Sequence, residues 1–279
     1  MKLQLRNLTL DVSQPKIMGI LNVTPDSFSD GGLFTDVESS LQRIKEMIQQ
    51  GASIIDVGGE STRPGSEPVS IEEELQRTIP VLEKAIPTFP ATFFSIDTVK
   101  YEVAKKALEV GVHLVNDVSG LQTDPQKAAL CGSVNAGLII MHSKGKPKDM
   151  QVNPEYDDVT KEVMEFLQAK IRFAEGEGVN SIFVDPGIGF GKTLEHNLRL
   201  LAQLQTFEQL GKPILAGASR KSMIGSLLDG RPIDGRLAGT LAVHYHAMLK
   251  GAKIIRVHDV MEAADTIRIL NAINSFEEL

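Results

Sequence analysis

Cysteine is almost missing from this sequence: Cys131 is the one example in 279 residues. No disulfide can close within the chain, a thiolate metal site would need other ligands, and a reducing compartment is expected. Long apolar runs are missing as well. No stretch approaches the roughly 20 uninterrupted apolar residues that span a bilayer. Met1-Lys2-Leu3-Gln4-Leu5-Arg6 has no apolar signal region, so the expectation is a cytoplasmic protein with no membrane partner. Positive charge is not in excess. A formal net charge of −7 argues against general nucleic-acid binding, which needs clustered Lys and Arg. An anionic ligand must therefore meet a local basic site.

Metal motifs are thin. There is no HExxH and no CxxC, and His244 and His246 stand two apart, on different faces of any helix. These two, His113 inside a strand and His196 on a helix read as structural. Asp185-Pro186-Gly187-Ile188-Gly189-Phe190-Gly191-Lys192-Thr193 invites a phosphate-loop reading, but that pattern needs glycine where Pro186 stands. No linker, low-complexity tract or repeat breaks the chain. Its length fits one α/β barrel or two smaller domains, and the pattern below favours a single domain over residues 1–279.

Short β-rich runs followed by helical periodicity occur at Ile17 to Asn22, Ser53 to Gly58, Thr92 to Ile96, Val112 to Asn116, Gly137 to His142, Ser181 to Asp185, Pro213 to Gly217 and Lys253 to Val257. Continuous apolar runs suit strands covered on both faces, hence a parallel sheet, and eight such units suggest a closed (β/α)8 barrel. Val37, Leu41, Ile44 and Ile48 keep helical spacing up to a stop at Gly51. Ile71, Leu75, Ile79, Leu82 and Ile86 do so after a capping box of Ser70 and Glu73. The alternating Leu3 to Val12, turning at Arg6-Asn7, reads as a hairpin that closes the N-terminal end of the barrel.

Reactive side chains fall at or just past the strand ends: Asn22, Asp56, Asp97, Asn116, His142, Asp185, Ser219-Arg220-Lys221, and Arg256 with His258. In a parallel barrel these ends share the face that carries active sites. A polar residue at one strand end is ordinarily a cap or a turn former; convergence at all of them points to chemistry. Asn22 to Gly32 reads as a lid with a binding residue at its root. Gly58 to Ser66 embeds Arg63 among glycines and hydroxyls, suited to an anion. Ser219-Arg220-Lys221-Ser222 combines two cations with a helix start, a second anion site next to Arg256. Phe190 is by default a buried core ring and otherwise a stacking platform.

Ile20 to Gly32, Ile55-Asp56-Val57-Gly58-Gly59-Glu60-Ser61-Thr62-Arg63-Pro64-Gly65, Ser95-Ile96-Asp97-Thr98, Asn116-Asp117-Val118-Ser119-Gly120, Asp185-Pro186-Gly187, Ser219-Arg220-Lys221-Ser222 and Arg256-Val257-His258-Asp259 together resemble the signature blocks of the dihydropteroate synthases, in order and over essentially the whole chain. One block departs: the chain reads Met141-His142-Ser143-Lys144-Gly145 where the family usually has Met-His-Met-Gln-Gly. The resemblance implies condensation of a dihydropterin diphosphate with 4-aminobenzoate, with release of pyrophosphate. It implies a pterin pocket of Asp97, Asn116, Met141, Asp185 and a buried Lys221, and aminobenzoate contacts from Thr62, Arg63, Pro64, Phe190, Arg220, Lys221 and Ser222. Asn22, Thr62, Arg63, Arg256 and His258 are implied at the diphosphate, with Mg2+ on Asn22. The catalytic set so implied is Asn22, Arg63, Asp97, Lys221, Arg256 and His258, and a homodimer is implied. A pterin-binding methyltransferase or a non-catalytic paralogue would keep the same barrel. The first has no use for the Ser61–Gly65 and Ser219–Ser222 cations.

Overall fold

The computed structural model describes residues 1–23, 33–61, 66–145 and 150–276. The alternating N-terminal segment forms an antiparallel pair, β1 (Lys2–Leu5) and β2 (Leu8–Asp11), with Leu3 opposite Leu10. Eight parallel strands then close into a barrel: β3 (Lys16–Asn22), β4 (Ile54–Gly58), β5 (Phe93–Asp97), β6 (Leu114–Asp117), β7 (Gly137–Met141), β8 (Ile182–Asp185), β9 (Ile214–Ala216) and β10 (Ala252–Val257), with β10 returning to pair with β3. The expected (β/α)8 barrel with an N-terminal hairpin is present, with strand limits shifted by one or two residues. His113 lies one residue before β6, not inside a strand.

Each strand divides its side chains by the period of two that pleating imposes. Met18, Ile54, Phe93, Leu114, Ile139, Phe183, Leu215 and Ile254 form one buried cluster inside the barrel, and the hairpin plugs it from below with Leu5, Leu10 and Val12. Their neighbours along the strands, such as Ile17, Ile55, Phe94, Val115, Leu138, Ile182 and Ile255, join the larger outer core. There the strands meet α1 (Leu33–Gln50), α2 (Ile71–Thr88), α3 (Tyr101–Val110), α4 (Lys127–Ser133), α5 (Val159–Gly176), α6 (Leu194–Ala202), α7 (Ser222–Leu227), α8 (Leu237–Leu249) and α9 (Val260–Asn274). Both faces of every strand are covered, which is why the strand sequences are continuously apolar.

The helices start and stop where the local chemistry directs. The stripe Val37, Leu41, Ile44 and Ile48 of α1 packs on the outer core, and Gly51 ends that helix with φ +112°, in the left-handed region that favours glycine. At α2 the Ser70 hydroxyl accepts from Glu73 N at 3.1 Å, while Glu73 turns its carboxylate to Arg77, one turn along, so one half of the expected capping box forms. Among the described residues no helix is long and apolar enough to cross a membrane.

Candidate active site

Two residues beyond the apolar floor, the inward positions change character. Ile54 is followed by Asp56, Leu114 by Asn116, Phe183 by Asp185 and Ile254 by Arg256. Strand pairing aligns them, with Asp97 opposite Asn116 across β5 and β6 and Asp185 opposite Met141 across β7 and β8. The result is a buried polar layer at the C-terminal mouth.

Arg256 is its hub. Its Nε meets Asp56 Oδ2 at 2.6 Å and its Nη2 meets Asp97 Oδ2 at 2.6 Å. Asn116 Nδ2 donates to the same Asp56 oxygen at 2.9 Å. Among the described residues Asp56 Oδ1 and Asp97 Oδ1 are buried without a partner, a costly arrangement that marks donor-seeking surface at the mouth. Burial pushes the Asp97 carboxyl well above the usual carboxylate range, with Arg256 pulling the other way. Burial raises Asp185 too, opposed by the Gly187 N–H and by Lys221, Lys192 and Arg256. The two aspartates lie at the same mouth, and each gains from a ligand that donates hydrogen bonds.

A cleft of about 290 Å3 opens above this layer, and Asn22, Asp97, Phe190, Arg220, Lys221, Ser222, Arg256 and His258 line it together. Lys221 sits 3.7 Å above the centre of the Phe190 ring, an ammonium on an aromatic face. Phe190 is therefore a wall of the cleft, not the core ring that is the default for phenylalanine. His258 Nδ1 lies 2.9 Å from the Ser219 hydroxyl, which links the ends of β9 and β10. Arg220 is held by Asp259, its Nε 3.0 Å from Oδ2, so its guanidinium braces the rim. Asp185 Oδ2 lies 3.5 Å from the point where Gly217, another cleft residue, would carry a Cβ. Asn116 and Met141, 4% and 3% exposed, complete the strand walls.

The expected set thus converges on one mouth, apart from Thr62, Arg63 and Pro64, which lie outside the described residues together with the lid, residues 24–32. One detail needs correction: Lys221 is half-buried, and the fully buried lysine of this mouth is Lys192, 2% exposed. Sequence reasoning placed Asp56 at a strand end without a role, yet it holds both Arg256 and Asn116. It missed Lys192 and the rim ion pairs of Lys100 with Glu60 and Glu74. Asp117, next to Asn116, accepts from Ser119 N and Leu121 N at 2.9 Å each and pairs with Lys127 at 3.1 Å, which fixes the turn after β6. The partners of Asp56 and Lys192 lie far away in the chain, and nothing in local spacing marks them.

Comparison with known proteins agrees with this geometry. The family described as pterin binding enzyme matches residues 18–258. The dihydropteroate synthase of Escherichia coli strain K12 is 46% identical over 280 aligned residues, covering 100% of this chain and 98% of that one. This chain belongs to the dihydropteroate synthase family. Among solved members, the Yersinia pestis dihydropteroate synthase with a sulfonamide drug superposes with a TM-score of 0.92 at 44% identity, covering 99% of this chain and 100% of that one. The Thermus thermophilus enzyme in complex with 4-aminobenzoate gives 0.87 at 41%, covering 98% and 99%.

Proposed function

We infer that this protein is a dihydropteroate synthase, a transferase that joins 6-hydroxymethyl-7,8-dihydropterin diphosphate to 4-aminobenzoate and yields 7,8-dihydropteroate and pyrophosphate in folate biosynthesis. The observation that carries the reading is the layered mouth: carboxylates and an amide at the barrel ends, with Lys221 and Arg256 above them, in a chain of this family.

The chemistry follows from the donors and acceptors. A pterin edge presents an amino group and a ring N–H side by side, which Asp185 accepts, while Asn116 and Asp97 bind the remaining ring edge beside Met141. Lys221 donates to the pterin carbonyl and ring nitrogen, one face of its ammonium resting on Phe190. Cleavage is SN1-like: the bond from the pterin methylene to the diphosphate oxygen breaks first, its electron pair leaving with pyrophosphate. Arg256 and His258, with Arg63 and Thr62 by the family resemblance, compensate the charge of the separating anion where it develops. Because Asp56 and Asp97 already hold Arg256, that guanidinium arrives pre-oriented. The aniline nitrogen then bonds to the methylene and its proton passes to solvent. Thr62, Arg63, Pro64, Phe190, Arg220, Lys221 and Ser222 hold the aminobenzoate ring and carboxylate.

The Asn22 amide oxygen, 3.8 Å from the point where Gly58 would carry a Cβ and on the side where Asp97 Oδ2 lies 3.9 Å from it, is a hard donor of the kind Mg2+ takes, the rest of its shell coming from substrate phosphates and water. Held by Asn22, Mg2+ would supply further positive charge to the leaving diphosphate. Association as a homodimer is supported by exposed Leu249 of α8 and Met261, Ile269 and Ile273 of α9. The lone buried cysteine suits the reducing cytoplasm. One domain, residues 1–279, carries the whole activity.

The test is a coupled assay of pyrophosphate release. Release that requires both substrates is the expected outcome; binding of pterin without turnover would mean a non-catalytic paralogue. A methyl transfer from methyltetrahydrofolate would mean the rival chemistry. Binding is ordered, aminobenzoate after diphosphate, because Thr62 and Arg63 serve both ligands. Calorimetry should show tight aminobenzoate binding only with pyrophosphate present, and tight binding without it overturns the order.

A further inference from the structure

Lys192 ends the loop that begins at Asp185, and it is not among the residues that line the cleft. It is 2% exposed, and its Nζ meets three acceptors: His142 Nδ1 at 2.9 Å, Phe190 O at 3.0 Å and His142 O at 3.3 Å. An ammonium has three N–H donors, and all three are used. The contacts tie the loop after β8 to the loop after β7.

The backbone leaves room for nothing else. Gly187 has φ +72°, and a Cβ there would fall 1.9 Å from His142 O and 3.3 Å from Lys192 Nζ. From the other side Asn197 of α6 holds the same loop, its Oδ1 accepting from Gly189 N at 2.6 Å and its Nδ2 donating to Thr193 O at 2.8 Å. Asp185 Oδ1 accepts from Gly187 N at 2.7 Å, which leaves Oδ2 facing Gly217 and the cleft. The aspartate thus has a cleft side and a loop side, and Lys192 holds the loop.

The charges around Lys192 are Asp185 of β8, which favours its protonation, and Lys221 and Lys144 from the neighbouring loops, which oppose it. Burial, joined by the two lysines, outweighs Asp185 and brings the ammonium from 10.5 down to about 7. His142 is held neutral, first by burial and then by Lys192, so its Nδ1 accepts and its ring carries the proton on Nε2.

We propose that Lys192 is a positioning residue of the pterin subsite: its buried ammonium, bonded to Phe190 O and to both His142 acceptors, clamps the loop that follows Asp185 onto the loop after β7 and so places the aspartate to receive the pterin edge, without touching substrate. This rests on the assignment of Asp185 to the pterin made above. The ammonium is present below about pH 7 and becomes a neutral amine above it, with two N–H donors for three acceptors, so the clamp loosens as pH rises through that value. Pterin affinity falls in the same window.

The experiment is calorimetric titration of the full-length protein with 6-hydroxymethylpterin at a series of pH values, beside steady-state kinetics. Wild type should weaken about tenfold between about pH 6 and about pH 8, the effect of losing about one charge-assisted hydrogen bond from the clamp. Lys192→Met should bind weakly at every pH with no inflection, raising the pterin KM while largely sparing kcat. Lys192→Arg stays charged throughout and should also lose the inflection, which keeps the test open if the Met variant fails to fold. Asn197→Ala loosens the same loop without removing charge, so it should weaken binding and retain the inflection. An inflection near pH 7 that survives in Lys192→Met or Lys192→Arg overturns the proposal. Asp185→Asn separates this outcome from the underlying reading: if that variant binds pterin normally, the assignment of Asp185 is wrong and the failure lies there.

Discussion

The two ends of the barrel interior are built from the same strands, two residues apart. At the closed end, Ile54, Leu114, Phe183 and Ile254 pack on the hairpin's Leu5 and Leu10 in a layer without charge. At the open end their successors Asp56, Asn116 and Asp185 are buried and Arg256 is half-buried, yet all are hydrogen-bonded or charged. Burial stabilises the first layer. It penalises the second, where Asp56 Oδ1 and Asp97 Oδ1 lack partners among the described residues. The difference teaches that the mouth is held open for a ligand at the expense of stability that the floor supplies.

That contrast can be broken from either side. The largest effect belongs to the mouth: Lys221→Ala should lower kcat/KM by about a thousandfold, as loss of a preorganised donor does, with the melting temperature nearly unchanged because Lys221 is half-buried on Phe190. Turnover close to wild type would remove Lys221 from the chemistry. Next in size, Met18→Ala at the floor should cost about 3 kcal/mol in denaturant unfolding, since it leaves a cavity under the hairpin. The kcat/KM of the folded fraction should be kept. Loss of activity without loss of stability would mean the two ends are not separable.

The smallest effect sharpens the comparison. His113, beside the floor residue Phe93 with ring centres 5.6 Å apart, accepts from Phe94 N at 3.1 Å and is pushed by burial from 6.5 to about 4. Its folded pKa lies below its unfolded one, so the unfolded chain takes up the proton first. Stability is present above about 6.5 and is lost as pH falls toward 4. His113→Asn, which keeps an acceptor for Phe94 N but cannot titrate, should flatten the fall in melting temperature over that window by a few degrees. An unaltered slope would place the acid sensitivity elsewhere.

Much of this was legible in the chain. Continuous apolar strands, helical stripes such as Val37, Leu41, Ile44 and Ile48, and an alternating first segment state the barrel and its plug, because pleat and helix periods are local properties. The site was legible to the extent that a parallel barrel gathers its strand ends: Asn22, Asp97, Lys221 and Arg256 meet as expected. Asp56 and Lys192 were not given roles, since their significance lies in partners far away in sequence, Arg256 for the first and His142 for the second. The helix cap at Ser70 formed by half because Arg77 competes for Glu73.

By itself the sequence determined the fold class, the family, and which side chains stand at the open end, because each depends on residue type and spacing along one strand or loop. Tertiary structure alone decided which of them meet: Arg256 divided between Asp56 and Asp97, Asn116 leaning on Asp56, and Lys192 buried against His142. Closure of the barrel brings strands far apart in the chain within hydrogen-bond reach and removes water from between them, and with water gone, neighbours in space set the ionisation of each group.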